Sequence, residues 1–186
     1  LGLSDEHDGI LRLETLGLDP DLGLDVIELL GLGESAAEVN VTPDRGYCFS
    51  MRGIAREYSH ATGADFRDPK SNAHIEMGHG FGLTINDEAP IRGRRGTDRF
   101  VLRVVKGVDV SRPTPAWMVS RLKLAGMRSV SLVVDITNYV MLELGQPTHA
   151  YDLDKIKGGL TVRRAKAGET LKTLDGQVRK LDLEDL

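Results

Sequence analysis

The side chains best suited to chemistry lie between residues 135 and 149 of this chain. Asp135, Thr137 and Asn138 form one cluster, and Gln146 and His149 follow in a later segment. A helix that begins just after Asp135 would hold Thr137 and Asn138 in its first turn, where unpaired backbone N–H groups favour an oxyanion or a phosphate. His149 follows a proline in an irregular segment, and such a loop can present an imidazole to a ligand. The clustering therefore favours a polar binding site.

Each of these residues also has a structural interpretation. Asp135 can cap a helix, Thr137 and Asn138 can satisfy the backbone of a turn, and His149 can pack with Tyr151. Taken one at a time, the structural interpretation is favoured, so the functional interpretation depends on the clustering alone.

The elements that must position the cluster are predicted from residue 99 onward, in a second domain of residues 99–186. Its helices and strands follow from apolar periodicity, capping residues and the Asp175-Gly176 turn dipeptide. They are a strand Phe100–Val108, a helix from Thr114 to Gly126, a strand Ser129–Val134, a helix Ile136–Leu144, a strand Leu160–Arg164 and a hairpin Thr170–Leu181.

The first domain, residues 1–63, is predicted to be a small α/β unit. Its elements are a helix at 24–30, a strand at 38–42 and a helix at 49–62 that Gly63 ends. Residues 64–98 are polar and glycine-rich, so they are predicted to connect the domains, with one alternating segment at 81–86. The fold class is therefore α+β, with a small α/β unit followed by a mostly antiparallel sheet domain with packed helices.

Arg121 interrupts the apolar face of the helix that starts near Thr114. Because an isolated buried charge is too costly, its guanidinium must be paired or must reach solvent. A salt-bridged or snorkelling arginine is favoured over a contact with substrate.

Composition limits the class of protein. The 186 residues are 40% hydrophobic and 28% charged, with a single cysteine and a formal net charge of −4. No apolar run approaches the roughly 20 residues that cross a bilayer, and the acidic start LGLSDEHDGI resembles no signal peptide. The missing initiator methionine suggests a chain cut from something longer, and the lone thiol suits the cytoplasm.

Two other polar groups are weaker candidates for sites. Arg92, Arg94, Arg95 and Arg99 form the densest basic cluster, and a solvated loop is the favoured interpretation of it. His74, Glu76 and His79 lack a recognisable metal-ligand spacing, so no metal is predicted.

The longest resemblance to a known family runs from Val134 to Asp152. Its residues read Val-Asp-Ile-Thr-Asn-Tyr-Val and, from Glu143, Glu-Leu-Gly-Gln-Pro-Thr-His-Ala-Tyr-Asp. This is similar to the VDxTNYVxxELGQPxHAFD signature of bacterial phenylalanyl-tRNA synthetase beta subunits.

The flanking segments resemble the same family. Residues 114–128 are similar to its PxWxxxRLxxxGxR, residues 165–176 to its AKxGExxxxLDG, and residues 42–57 to the TPNRxDCxxxxGxARE of the small preceding domain. Asp44 stands where the family has asparagine, and Gly46-Tyr47 replaces its usual pair, which puts any role of that turn in doubt. Nearly the whole chain is covered, except the polar connection.

The resemblance implies hydrolytic editing, in which tyrosine wrongly esterified to phenylalanine tRNA is removed. Thr137, Asn138 and His149 fall on family editing-pocket residues and are the catalytic candidates; together with Gln146 they are the substrate-binding candidates. In the family a glycine-rich segment and a glutamate beyond the LDG hairpin complete the pocket. The chain is therefore expected to hold an incomplete editing domain that is inactive alone.

The resemblance also implies partners and cofactors. The partners are the synthetase alpha subunit, in an alpha2 beta2 heterotetramer, and phenylalanine tRNA, with no membrane. ATP and magnesium serve the whole synthetase, and no cofactor is expected in this segment.

Two rival functions remain open. The chain could be a non-catalytic RNA-binding or scaffold module of the synthetase. Alternatively, residues 1–63 could form a nucleic-acid-binding helix domain, although Glu57 offsets Arg52 and Arg56 on its helix.

Overall fold

The computed structural model describes residues 9–69, 81–87 and 93–186. These residues group into two compact units. Unit 1 contains described residues from 9–69 and 108–150, and unit 2 contains those from 81–107 and 151–186. The predicted α+β class is confirmed. The boundaries at residues 63 and 98 stay a prediction, and they differ from this grouping, in which each unit takes two separate stretches of chain.

Unit 1 holds the helices. They are α1 Val26–Leu29, α2 Met51–Thr62, α3 Ala116–Leu124 and α4 Leu132–Leu144, with 3-10 turns at Leu13–Leu16 and Gly46–Cys48. The strand predicted at 38–42 is wrong, because this segment is irregular. The strand predicted at Ser129–Val134 is also wrong, since its second half is the first turn of α4. A short apolar run does not distinguish a strand from a helix start.

Helix α2 ends at Gly63 as predicted, and Ser50, which lies inside the predicted helix, caps its start. The Ser50 side chain accepts a hydrogen bond from the Gly53 N–H at 3.0 Å, and Gly63 ends the helix with φ of 75°. A Cβ on Gly53 would lie 1.9 Å from the Tyr47 carbonyl oxygen, so the preceding turn packs against α2 only because residue 53 has no side chain.

The core of unit 1 centres on α3. Among the described residues of the chain, the buried apolar side chains are Leu30, Cys48, Met118 and Leu122. Ser120, also on α3, donates a hydrogen bond to the Gly31 carbonyl at 2.7 Å. Helix α3 therefore joins α1 to the rest of the unit. Thr114, where this helix was predicted to begin, lies just before α3 and does not cap it, because its hydroxyl donates to Asp135 instead.

Unit 2 holds the strands. They are β1 Leu83–Asn86, β2 Leu160–Arg163, β3 Thr170–Lys172 and β4 Val178–Lys180, with a 3-10 turn at Leu153–Lys155. Strands β1 and β2 pair in parallel, and β3 and β4 form the predicted antiparallel hairpin. The described pairing is thus half parallel, where a mostly antiparallel sheet was expected.

The strand predicted at Phe100–Val108 is wrong. Its apolar residues alternate, but in the described part of the chain this segment joins no strand ladder. Alternation predicts which side chains share a face, and a strand also needs a partner for its backbone groups.

No helix among the described residues is long and apolar enough to span a membrane.

Candidate functional site

Helix α4 carries two of the predicted site residues, and it starts four residues earlier than predicted, at Leu132. Thr137 and Asn138 therefore lie in its second turn. The unpaired N–H groups of a helix belong to its first turn. The predicted oxyanion or phosphate site on the backbone at these two residues is consequently wrong, and only their side chains are available to a ligand.

Asp135 is fully buried in the first turn of α4. Its carboxylate accepts hydrogen bonds from the hydroxyl groups of Thr114 and Ser129, the latter at 2.6 Å, and from the Val130 N–H at 2.9 Å. The helix cap predicted for Asp135 is wrong, since Ser131 occupies the N-cap position. Asp135 instead fixes the start of α4 against the segments before and after α3.

The loop after α4 folds back onto the helix. Gly145 ends α4 with φ of 75°, and the Thr148 hydroxyl reaches the Thr137 carbonyl oxygen at 3.4 Å. The fold-back brings the residue before His149 against Thr137. The Thr137 hydroxyl itself donates to the Val134 carbonyl at 2.6 Å. Its proton is therefore engaged within the helix, and its lone pairs are left to accept a hydrogen bond.

The candidate side chains differ in exposure. Thr137 and Asn138 are half-buried, whereas Gln146 and His149 are exposed. All four side chains are at least partly open to solvent, so each can contact a ligand at the surface of unit 1. Their roles as catalytic and substrate-binding residues stay a prediction.

Arg121 has the paired environment that the sequence favoured. Its guanidinium donates to the Glu34 carboxylate at 3.2 Å and to the Tyr139 hydroxyl at 3.0 Å, and it lies 5.5 Å from the centre of the Trp117 ring. These hydrogen bonds raise the pKa of Arg121, first through Glu34. The arginine thus joins the segment after α1 to α3 and α4.

A second polar group surrounds Glu57 on α2. Its carboxylate accepts from the Tyr47 hydroxyl and pairs with Arg45, and these contacts lower the pKa of Glu57, with the Tyr47 hydrogen bond the largest cause. His60 lies 3.7 Å from the same carboxylate. Tyr47, Glu57 and His60 together line an open cleft at this end of the helix. Tyr47, which departs from the family pattern, therefore has a structural role in this turn.

The described residues include no group of three or more histidine, cysteine or acidic side chains placed to hold a metal ion. His74, Glu76 and His79 lie outside the described residues. A metal-free reaction stays a prediction.

Two polar contacts had no sequence signal. Asp87 and Arg164 form an ion pair at 2.7 Å in unit 2, although 77 residues separate them. Asp135 meets Thr114 across 21 residues. Neither spacing belongs to a helix or a hairpin, so local periodicity could not reveal them.

Comparison with known proteins gives a consistent family. Residues 96–186 match the B3/4 domain model. Phenylalanine–tRNA ligase beta subunits align along the full chain, from Leifsonia xyli subsp. xyli at 68% identity, Bifidobacterium longum at 48% and Streptomyces avermitilis at 49%. The chain spans only 22 to 23% of the length of these relatives. The chain therefore belongs to the family of phenylalanine–tRNA ligase beta subunits, within which residues 96–186 are a B3/4 domain.

Proposed function

We propose that this chain is the part of a phenylalanine–tRNA ligase that binds the acylated end of phenylalanine tRNA and contributes to hydrolysis of wrongly attached tyrosine. The observation that carries the proposal is the fold-back of the loop after α4, in which Thr148 contacts Thr137. It brings the imidazole-bearing loop to the helix face that carries the threonine.

A separate hydrolytic site answers a physical limit on recognition. A pocket built for phenylalanine cannot strongly reject an isostere that merely adds a hydroxyl group. A second site that sorts by a polar contact corrects the resulting errors.

The geometry suggests how the residues share the work. Because the Thr137 hydroxyl already donates to Val134, it accepts a hydrogen bond from the substrate, such as one from the terminal ribose hydroxyl. His149 positions the attacking water, and the side-chain amides of Asn138 and Gln146 bind the ester. Water adds its oxygen to the carbonyl carbon, the ester C–O bond breaks, and a proton passes to the ribose oxygen.

The wider assembly is part of the same proposal. The partners are an alpha subunit, in an alpha2 beta2 heterotetramer, and phenylalanine tRNA. ATP and magnesium belong to the aminoacylation reaction of the whole enzyme, which we place in the cytoplasm. We assign that reaction to the alpha subunit.

Replacement of His149 by alanine tests the site. In a complete beta subunit assembled with its alpha partner, His149→Ala should slow deacylation of tyrosyl-tRNA by at least about tenfold, because a hydrogen bond to a reacting group is removed. Aminoacylation with phenylalanine should not change. His60→Ala, which removes an exposed histidine elsewhere in unit 1, is the matched control and should deacylate normally.

Two results would contradict the proposal. Deacylation by the His149→Ala enzyme at the rate of the unmodified enzyme would remove His149 from the site. An unmodified complex that binds tRNA with steep salt dependence but never hydrolyses tyrosyl-tRNA would favour the non-catalytic RNA-binding module instead.

A further inference from the structure

The arginine-rich segment before Phe100 is bound through its backbone to a buried carboxylate, that of Asp87. Asp87, at the end of β1, has a side chain that is 0% exposed. It accepts hydrogen bonds from the Gly96 N–H at 2.5 Å and from the Thr97 N–H at 3.4 Å. The backbone just after Arg94 and Arg95 is therefore fixed to the end of a strand.

Arg164 completes the anchor from the end of β2. Its guanidinium donates to Asp87 at 2.7 and 3.2 Å and also to the Glu184 carbonyl, and its side chain is only 11% exposed. A Cβ on Gly96 would lie 2.9 Å from this guanidinium and 3.3 Å from the Asp87 carboxylate. A side chain at position 96 would therefore have to displace the end of the Arg164 guanidinium.

The exposed arginines of this segment are available to bind a partner. Arg94, Arg95 and Arg99 are exposed, and the ion pairs formed between described residues include none of them. Arg163 and Arg164, in the same unit, both pair with carboxylates. The whole chain carries a net charge of −4, so three exposed arginines between positions 94 and 99 are a local concentration of positive charge.

We infer that Arg94 and Arg95 bind the phosphate backbone of the tRNA whose acylated end the proposed function assigns to this chain. Guanidinium groups bind phosphate oxygens through paired N–H donors, and an anchored backbone loses less conformational entropy on binding. Such contacts fix the position of a nucleic acid without reading its sequence. The inference rests on the proposed function for the identity of the ligand.

The test measures the affinity of the complete enzyme for phenylalanine tRNA as a function of salt concentration. The double variant Arg94→Ala and Arg95→Ala should bind more weakly and should lower the slope of log affinity against log salt by about two, roughly one for each phosphate that is no longer neutralised. Arg94→Lys with Arg95→Lys should restore most of the affinity, because a lysine ammonium also binds phosphate.

The matched control replaces two exposed arginines of unit 1, Arg12 and Arg67, by alanine, and its affinity and salt slope should match the unmodified enzyme. An unchanged salt slope in the Arg94 and Arg95 double variant would overturn the inference, as would an equally weakened affinity in the control.

A deacylation assay separates this inference from the proposed function. The double variant should raise KM for tyrosyl-tRNA and leave kcat unchanged, since a contact with a backbone phosphate does not act on the reacting ester bond. Normal deacylation by the unmodified enzyme together with an unchanged KM in the double variant would overturn the phosphate contact alone. An unmodified enzyme without deacylase activity would overturn the proposed function. In that case the tRNA affinity of the double variant would still show whether Arg94 and Arg95 contact phosphate.

Discussion

The buried carboxylate of Asp135 has three hydrogen-bond donors and no exposed surface. Asp135→Ala would leave two hydroxyl groups and the Val130 N–H without their acceptor. Since a buried unpaired donor costs about 1 to 3 kcal/mol and Thr114 is the one buried residue among the three donors, we expect the free energy of unfolding to fall by about 2 kcal/mol. Urea denaturation followed by circular dichroism measures the change.

Two further variants define that result. Asp135→Asn keeps the volume and one acceptor oxygen, so its destabilisation should be smaller than that of alanine. Asp65→Ala removes an exposed carboxylate in the same unit and should change the free energy of unfolding by less than about 0.5 kcal/mol. Equal stability of Asp135→Ala and Asp65→Ala would show that the buried network contributes nothing.

At the scale of single residues, the sequence predicts local contacts and misses distant ones. The cap by Ser50 could have been predicted, because serine is a preferred N-cap residue, and the helix ends predicted at Gly63 and Leu144 are confirmed. The partner of Arg121 could not be identified, because Glu34 lies 87 residues away. A charge on an apolar face shows that a partner is needed without showing which one.

At the scale of elements, Glu169 joins the end of β2 to the start of β3. Its carboxylate accepts from the Arg163 guanidinium at 2.7 and 2.9 Å and from the Lys166 N–H at 2.8 Å. The Arg163 hydrogen bonds are the largest cause that lowers the pKa of Glu169 from 4.5 to about 2. The charged form of Glu169 therefore stabilises the folded state.

The pH dependence follows from the direction of that shift. The stabilisation is fully present above the unfolded pKa of 4.5 and is lost as the pH falls from 4.5 to about 2. Glu169→Gln should therefore lose less stability than the unmodified chain over this window. Thermal unfolding at pH 7, 4 and 2.5 measures it, with the exposed Glu184→Gln as the control. Identical pH profiles for the unmodified and Glu169→Gln chains would contradict the role of the ion pair.

Elements were predictable where a local signal sufficed. The hairpin β3–β4 follows from its turn dipeptide, and α2 follows from its apolar periodicity and from Gly63 at its end. The parallel pairing of β1 with β2 was not predictable, because Leu83 and Leu160 lie far apart in sequence and neither strand encodes its partner. The same limitation produced the wrong strand at Phe100–Val108.

At the scale of the whole molecule, the sequence motifs identified the family correctly, whereas the catalytic role of the cluster stays a prediction. A motif in which many positions match identifies a family even when no single residue in it would. Function also requires a ligand, and the fold-back of Thr148 onto Thr137 became visible only with three-dimensional geometry.

Large apolar side chains of both units remain exposed, although the buried apolar core among the described residues is small. Leu22 and Leu174 are fully exposed, and Phe49 and Met51 are each 69% exposed. Large apolar side chains are usually buried in the core of a folded protein. Since the aligned relatives are about four to five times longer, we expect the rest of a complete beta subunit to cover these side chains.

Hydrogen exchange of the isolated chain and of the complete subunit tests this expectation. Segments around Leu22 and Phe49 should exchange faster in the isolated chain, because burial of apolar surface there stabilises the local backbone against opening. The isolated chain should also bind a hydrophobic dye that the complete subunit excludes. The segment at Asp65, which carries few apolar side chains, is the internal control. Equal exchange of the Leu22 and Phe49 segments in both proteins would mean that these apolar side chains face solvent in the complete subunit as well.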